Sequence, residues 1–391
     1  MEALETSFGK GYYVDKVLER LLRSNRRWGK RDRAFIAETT YEMVRWWRLL
    51  WFLNGKEPSL KRKELYRLFG IWWLWQGNSL PDWNQFSALV DFDLESARLR
   101  VPRDVGISQS FPEWLDERAA AELGEKKWAE IAAQLNQPAQ VILRANTLLT
   151  TRQELQEKLA EEGFETLCTE NSETGLILKE RANTFRSSSF QNGLFEVQDG
   201  GSQLIAPMLV PRPGMRVIDA CAGAGGKTLH LAALMENKGS IIAMDVEDRK
   251  LRELKKRARR NQVHNVETRL IDSSKVIKRL AETADRLLLD VPCSGTGVIK
   301  RNPDTKWKLQ PEHLEKVRSM QFRIIRDYSE MLRTGGLMVY ATCSILKSEN
   351  EEQVQGFLKD KPNFKLLEEK RVDPGPESDG FYMALLEKAE N

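Results

Sequence analysis

Between residues 216 and 342 short apolar runs alternate with amphipathic helical stretches, and this alternation restricts what the 391-residue chain can become more than any other feature. Strands are predicted near 216–219, 240–245, 267–271, 286–290 and 337–342, with helices near 227–236, 247–261, 274–282 and 311–333. Strand, crossover helix and strand in repetition specify a doubly wound α/β domain. Ligand chemistry in such a sheet collects where strands end and the chain turns into helices. The closing GFYMALLEK is expected to add a late, antiparallel edge strand.

A chain of this length exceeds the usual reach of one hydrophobic core, so two or three domains are expected. Residues 1–110 read as helical, with phased apolar groups in YYVDKVLERLLR, FIAETTYEMVRWWRLLWFL and LYRLFGIWWLWQ. Ten of the eleven tryptophans fall in the first 130 residues. Interleaved with leucines, they favour a core over a base-stacking platform. The basic runs RSNRRWGKRDR and KRKELYR are the better candidates for backbone contacts. Residues 111–210 hold a linker and a small α+β module: VILRANTLL, a helix opened by Thr151 with Glu154 three positions on, and strands in FETLCTE and TGLILKE. Cys168 is read as a strand residue of that module. In FEVQDGGSQLIAPMLVPRPG, Asp199 caps a helix and Pro213-Gly214 turns the chain into the α/β domain, 211–391.

Four cysteines without a CxxC and three histidines fit neither a disulfide scaffold nor a zinc knuckle, so no metal is expected. The longest apolar clusters fall short of a membrane span and no secretory segment is read, which points to the cytoplasm and to no membrane partner. A net charge of +4 permits a nucleic-acid partner without requiring one.

RVIDACAGAGGKT places a strand, a glycine-rich turn and a helix in the order of an anion or nucleotide cradle. Asp219, Cys221, Ala222, Gly223, Ala224, Gly225, Gly226 and Lys227 form this first cofactor element. Asp245, at the end of the second strand, is placed to accept ribose hydroxyls, with Arg249 shaping the rim, and Asp272 ends the third strand near an adenine amino group. A P-loop would need glycine where this chain has Cys221, which disfavours an ATPase. A nicotinamide dehydrogenase fits the turn and Asp245 but leaves two thiol motifs without a purpose. Those motifs are LLLDVPCSGTG, carrying Asp290 and Cys293, and LMVYATCS, carrying Cys343. Each cysteine follows an apolar run and begins a turn at the catalytic edge, so a paired-thiol enzyme is favoured over two buried strand-end cysteines.

DACAGAGGKT, LLLDVPCSGTGVIKRNPDTKW and YATCSI together resemble the motifs of the RNA 5-methylcytosine methyltransferases of the Sun or Fmu group. The similarity extends through SFPEWL, ILRANTL, LFEVQDGGSQLIAPML and DGFYMALLEK, over approximately residues 110–388, and RDRAFIAETTYEMVRW resembles the antitermination-factor-like domain of the bacterial ribosomal RNA members. The resemblance implies a Rossmann-like class I methyltransferase domain, S-adenosylmethionine as cofactor and structured RNA, ribosomal RNA first, as partner. It also implies an RNA-binding helical domain, an RNA-recognition-like middle module and a monomer with no required protein partner. It assigns attack on cytosine C6 to Cys343 and product release to Cys293. Sequence chemistry alone leaves that division open, because a Pro-Cys motif is the nucleophile in related DNA enzymes. Asp290 is placed to read the cytosine N3 and amino group and to bind cofactor, and Lys227 to approach the base. Cys221 is expected to pack rather than react. Family members often carry Ala-Pro where this chain has Gly223-Ala224. The basic stretch 249–260 and the loop VIKRNPDTKWK, with Lys300, Arg301, Lys306, Lys308 and Trp307, are expected to hold RNA around a flipped cytidine. The alternatives are transfer RNA as substrate and a noncatalytic RNA-binding assembly protein.

Overall fold

The computed structural model describes residues 1–390. VILRANTLL opens a four-stranded antiparallel sheet built from β1 (Ile142–Ala145), β2 (Thr166–Cys168), β3 (Gly175–Leu178) and β4 (Phe195–Val197), in the order β2-β3-β1-β4. Its helix Arg152–Glu161 starts with the expected capping box: the Thr151 side chain accepts from the Glu154 amide, and the Glu154 carboxylate accepts from the Thr151 amide. β4 lies in what the sequence suggested was a connector, and it packs Phe195 into the module's core. Cys168 lies in β2 and is exposed.

The second sheet has seven strands: β5 (Arg216–Asp219), β6 (Ser240–Asp245), β7 (Val266–Leu270), β8 (Ala284–Asp290), β9 (Leu332–Thr342), β10 (Phe364–Val372) and β11 (Phe381–Lys388). Their order is β10-β11-β9-β8-β5-β6-β7, with β5 to β9 parallel and the β9-β11-β10 pairs antiparallel. Leu287 and Leu289 of β8 enter one core with Ile218 and Tyr340, while Leu288 enters the opposite core with Val217 and Val339. Burial on both faces is why this strand reads as an unbroken apolar run.

GFYMALLEK does form an antiparallel strand, but it lies inside the sheet between β9 and β10 and is not its edge. The edge is β10, FKLLEEKRV, whose largely exposed, charged residues hide it from a pattern search and discourage pairing with another chain.

The chain divides into two compact units, Met1–Gln137 with Ile299–Pro311, and Pro138–Val298 with Glu312 onward. The first is helical. Trp47, Trp51 and Trp72 are buried in its core, Trp46, Trp73 and Trp75 pack against it, and Phe8 stacks on Trp47 at 4.0 Å. Residues 299–311 belong to this packing, which corrects the expectation that Lys306 grips RNA. Lys306 is fully buried, donating to the carbonyls of Arg45 (3.1 Å), Gln109 (3.2 Å) and Ser110 (3.1 Å) and to Asn136 Oδ1 (2.7 Å). Trp307 donates to the Val44 carbonyl at 2.7 Å, Lys308 to the Ser7 carbonyl at 3.1 Å, and Lys300 is buried. With four acceptors around its ammonium, Lys306 has no donor left for phosphate.

The basic helix Asp248–Arg260 is likewise less free than its composition implied. Lys250, Arg252 and Lys256 pair with Glu247, Asp248 and Glu253, and Arg257 and Arg260 turn to Glu196. No helix among the described residues is long and apolar enough to cross a membrane, and no cluster of three or more His, Cys, Asp or Glu among them is placed to hold a metal ion.

Candidate active site

β8 and β9 are parallel neighbours with Asp290 opposite Ala341, so their C-terminal turns rise side by side. The sequence places one cysteine three residues beyond Asp290 and the other just beyond Thr342, and the two Sγ atoms come to 3.0 Å. Neither is in a disulfide. The hydrogen bond to Cys343, then burial, then the nearness of Cys343 and Glu349 push the Cys293 thiol well above its ordinary pKa.

Beside the thiols, Lys227 Nζ lies 2.6 Å from Asp290 Oδ2. Burial works against the lysine's charge, yet the Asp290 carboxylate, with Cys343 and Asp219 nearby, more than offsets it and holds the ammonium above its ordinary value. Lys227 thus stays cationic, facing both a carboxylate and a sulfur.

The two turns are joined from beneath by Glu349, which is fully buried. Its Oε1 accepts from the Ser294 amide (2.8 Å) and Gln321 Nε2 (2.9 Å), and its Oε2 accepts from the hydroxyls of Ser294 and Ser344. Gln321 also donates to the Pro292 carbonyl at 2.9 Å, and Gly297 donates to the Cys343 carbonyl at 2.9 Å. Each cysteine is followed by a serine that reaches the same carboxylate. Nothing in the sequence reading picked out Glu349; the repeated Cys-Ser step was the available sign.

The glycine-rich turn leads from β5 into the helix Gly226–Leu234. Gly225 has φ 91°, and a Cβ there would meet Leu254 Cγ at 2.5 Å, so both conformation and space demand glycine. Asp245 Oδ2 accepts from the Gly223 amide at 2.9 Å and Oδ1 from the Glu247 amide at 2.8 Å, tying the ends of β5 and β6 together. A cavity of about 490 Å³ opens there, lined by Ala220, Cys221, Asp245, Val246, Glu247 and Lys250, by Ile271 and Pro292, and by Met320, Arg323, Ile324, Asp327 and Tyr328 of the helix Pro311–Tyr328. Its size, one carboxylate at a strand end and an apolar wall fit a nucleoside.

Cys221 and Asp245 line this cavity as expected. Burial pushes the Cys221 thiol well above its ordinary value, as suits a packing residue. Asp219 is buried below the turn, accepting from the Thr228 hydroxyl at 2.7 Å, and burial pushes its pKa up to about 7. Ala222 packs in the core, and Ala224 and Gly226 offer their carbonyls to Arg257 and Arg144. Arg249 is exposed and outside the lining, and the adjacent Lys250 is on the cavity wall with Arg323. Asp272 is exposed with the Ser273 hydroxyl 3.0 Å away, outside the lining. The helix contribution follows a spacing of three and four residues, Met320, Arg323, Ile324, Asp327 and Tyr328, but periodicity alone does not say which face meets a ligand.

A family model described as 16S rRNA methyltransferase RsmB/F matches residues 206–387, and one described as the ferredoxin-like domain of RsmF/B-like methyltransferases matches 111–184. A probable ribosomal RNA small subunit methyltransferase B of Synechocystis is 31% identical over 304 residues, covering 73% of this chain and 68% of that protein. The chain belongs to the RsmB/F family. Its probable small subunit methyltransferase B relative in Bacillus subtilis is 34% identical over 273 residues, and the chain spans 61% of that protein's length. Among solved structures, PH0851 aligns with a TM-score of 0.81 at 26% identity over 99% of this chain and 97% of its own. A methyltransferase homologue from Pyrococcus horikoshii aligns with a TM-score of 0.65 at 28% identity over 73% of this chain and 98% of its own. The two family models fall on the small β-rich module and the Rossmann-like domain, and the alignment with PH0851 spans the all-helical region as well.

Proposed function

We propose that this chain transfers a methyl group from S-adenosylmethionine to C5 of a cytidine in RNA, with 16S ribosomal RNA as substrate, through a covalent bond between a cysteine and C6. The observation that carries the reading is the thiol pair, 3.0 Å apart, beside the Lys227–Asp290 ion pair at the end of β8. The 490 Å³ cavity takes the adenosine, with Asp245 on the ribose hydroxyls and Ile271, Pro292 and Ile324 against the base. Bound S-adenosylmethionine supplies an electrophilic methyl group on a sulfonium.

Cys343 attacks as thiolate, forming the S–C6 bond and moving the electron pair toward C5, which then takes the methyl group. Asp290 recognises the N3 and amino edge of cytosine, and the Lys227 ammonium steadies charge developing on the ring. Water takes the C5 proton, the C5–H electron pair forms the C5–C6 double bond, the S–C6 bond breaks, and Cys343 leaves as thiolate. Cys293, whose sulfur lies 3.0 Å from that of Cys343, assists this release. The helical unit and the small module position the RNA around a flipped cytidine, a single chain suffices, and the cytoplasm is the site of action.

Purified protein incubated with labelled S-adenosylmethionine and unmodified total RNA is expected to label 16S ribosomal RNA at 5-methylcytidine. Cys343→Ala should abolish both transfer and the covalent RNA adduct, while Cys293→Ala should let the adduct accumulate. Adduct formed by Cys343→Ala and absent from Cys293→Ala would reverse the assignment; label in transfer RNA alone would replace the substrate.

A further inference from the structure

The glycine-rich turn is held in place from the small module. Arg257 donates to the Ala224 carbonyl at 2.8 Å with one nitrogen and to Glu196 Oε2 at 2.8 Å with another. Arg144, in β1, donates to the Gly226 carbonyl at 2.9 Å and to the Gln198 side chain. Glu196 lies in β4 and Gln198 just after it, so one short strand supplies the acceptors for both arginines that grip the turn. Arg144 is 2% exposed and Glu196 3% exposed. A carboxylate that deep keeps its charge only when paired and hydrogen-bonded, and Glu196 gathers Arg257, Arg260 and Asn261 Nδ2. Burial works against its charge, yet the two arginines hold the carboxyl below its ordinary value.

The two gripped carbonyls are informative. Because the peptide unit is planar and trans, fixing the oxygens of Ala224 and Gly226 also fixes the N–H directions of Gly225 and Lys227. The Gly225 amide closes on the Ala222 carbonyl at 2.9 Å and shapes the turn. The Lys227 amide is in the first turn of the helix Gly226–Leu234, where amides have no acceptor within the helix and suit the anionic end of a ligand.

We infer that Glu196 and Arg257 are positioning residues for methyl-donor binding, so that β4 of the small module sets the shape of the cofactor turn. The inference rests on the methyltransferase reading. Arg260 provides an internal control: it shares Glu196 with Arg257, but its guanidinium stacks 3.8 Å from the Phe190 ring centroid instead of reaching the turn.

The test measures KM for S-adenosylmethionine, KM for RNA, kcat and thermal melting on the full chain bearing Arg257→Lys, Glu196→Gln or Arg260→Lys. Lysine cannot serve a carboxylate and a carbonyl at once through a planar fork, so Arg257→Lys should raise KM for the methyl donor about tenfold, with RNA KM and kcat within about twofold of wild type. Glu196→Gln should do the same, and Arg260→Lys should leave KM unchanged. The inference fails if folded Arg257→Lys binds the donor as wild type does, or if Arg260→Lys raises KM equally, which would mark a general loss of packing. A wild-type chain that takes up no methyl donor by calorimetry overturns the methyltransferase reading and this inference with it. Donor binding that is normal in wild type and in every variant removes the inference alone.

Discussion

Asp219 ends β5 as a buried carboxyl whose hydrogen-bond donor is the Thr228 hydroxyl, with Asp290 close enough to disfavour its charge and Lys227 opposing that effect. Its pKa of about 7 lies above the ordinary carboxyl value, so the folded protein binds this proton more tightly than the unfolded chain does. Stability tied to Asp219 is accordingly present at low pH and lost as pH rises from about 4 to about 7. Asp219→Asn, which keeps the shape and removes the titration, should flatten that part of the pH profile, by up to about 4 kcal/mol for a shift of roughly three units. Urea midpoints at pH 5 and pH 8 decide it: an equal fall in wild type and variant would show that Asp219 does not carry the dependence. At this scale much of the site was legible. Cys293, Cys343, Asp290 and Lys227 could be read because their chemistry is marked by residue type beside a turn. Asp219 was legible as a strand end, but its role under the turn depends on burial, which residue type does not reveal.

The short 3₁₀ turn Lys347–Glu349 follows the Cys343 motif and delivers Glu349 beneath both cysteine turns. Four donors converge on that carboxylate, and an amide in its place would put an N–H where the Ser294 and Ser344 hydroxyls now donate, so both would have to turn to accept. Glu349→Gln should therefore let the Ser294 and Ser344 turns drift apart and lower kcat roughly 10- to 100-fold, with the KM for methyl donor nearly unchanged. Single-turnover methyl transfer, together with the yield of covalent RNA adduct, checks this; an unchanged adduct rate would show that the turns hold their own geometry. Elements with a strong period were legible from the chain alone, β5, β6 and β8 among them, because burial on both faces writes a continuous apolar run. β4 and β10 were not. β4 has three residues and a buried glutamate whose purpose is the arginine network, and β10 is charged because it is an edge.

At the scale of the whole chain, the helical unit is not one stretch of sequence. Residues 299–311 complete it, supplying Asp304 to the Val14 amide at 2.8 Å, Trp307 to the tryptophan-rich core and Lys306 to three carbonyls and Asn136. The basic character of VIKRNPDTKWK pointed to RNA because sequence reports charge without reporting what surrounds it. Here burial, with Arg45 adding to it and Glu42 opposing it, pulls the Lys306 pKa well below its ordinary value. Lys306→Met preserves length and apolar stem but leaves four buried acceptors without their donor, which should destabilise the helical unit by about 2–4 kcal/mol. The measurement is unusually selective, since all eleven tryptophans belong to residues 1–137 or 299–311. Tryptophan emission during thermal or urea unfolding therefore follows the helical unit, and its midpoint should fall in Lys306→Met. An Asn136→Ala variant, which removes one acceptor, should shift it less. Equal midpoints for wild type and Lys306→Met would mean that water or neighbouring donors replace the ammonium, and that Trp307 and Asp304 alone hold the segment in place.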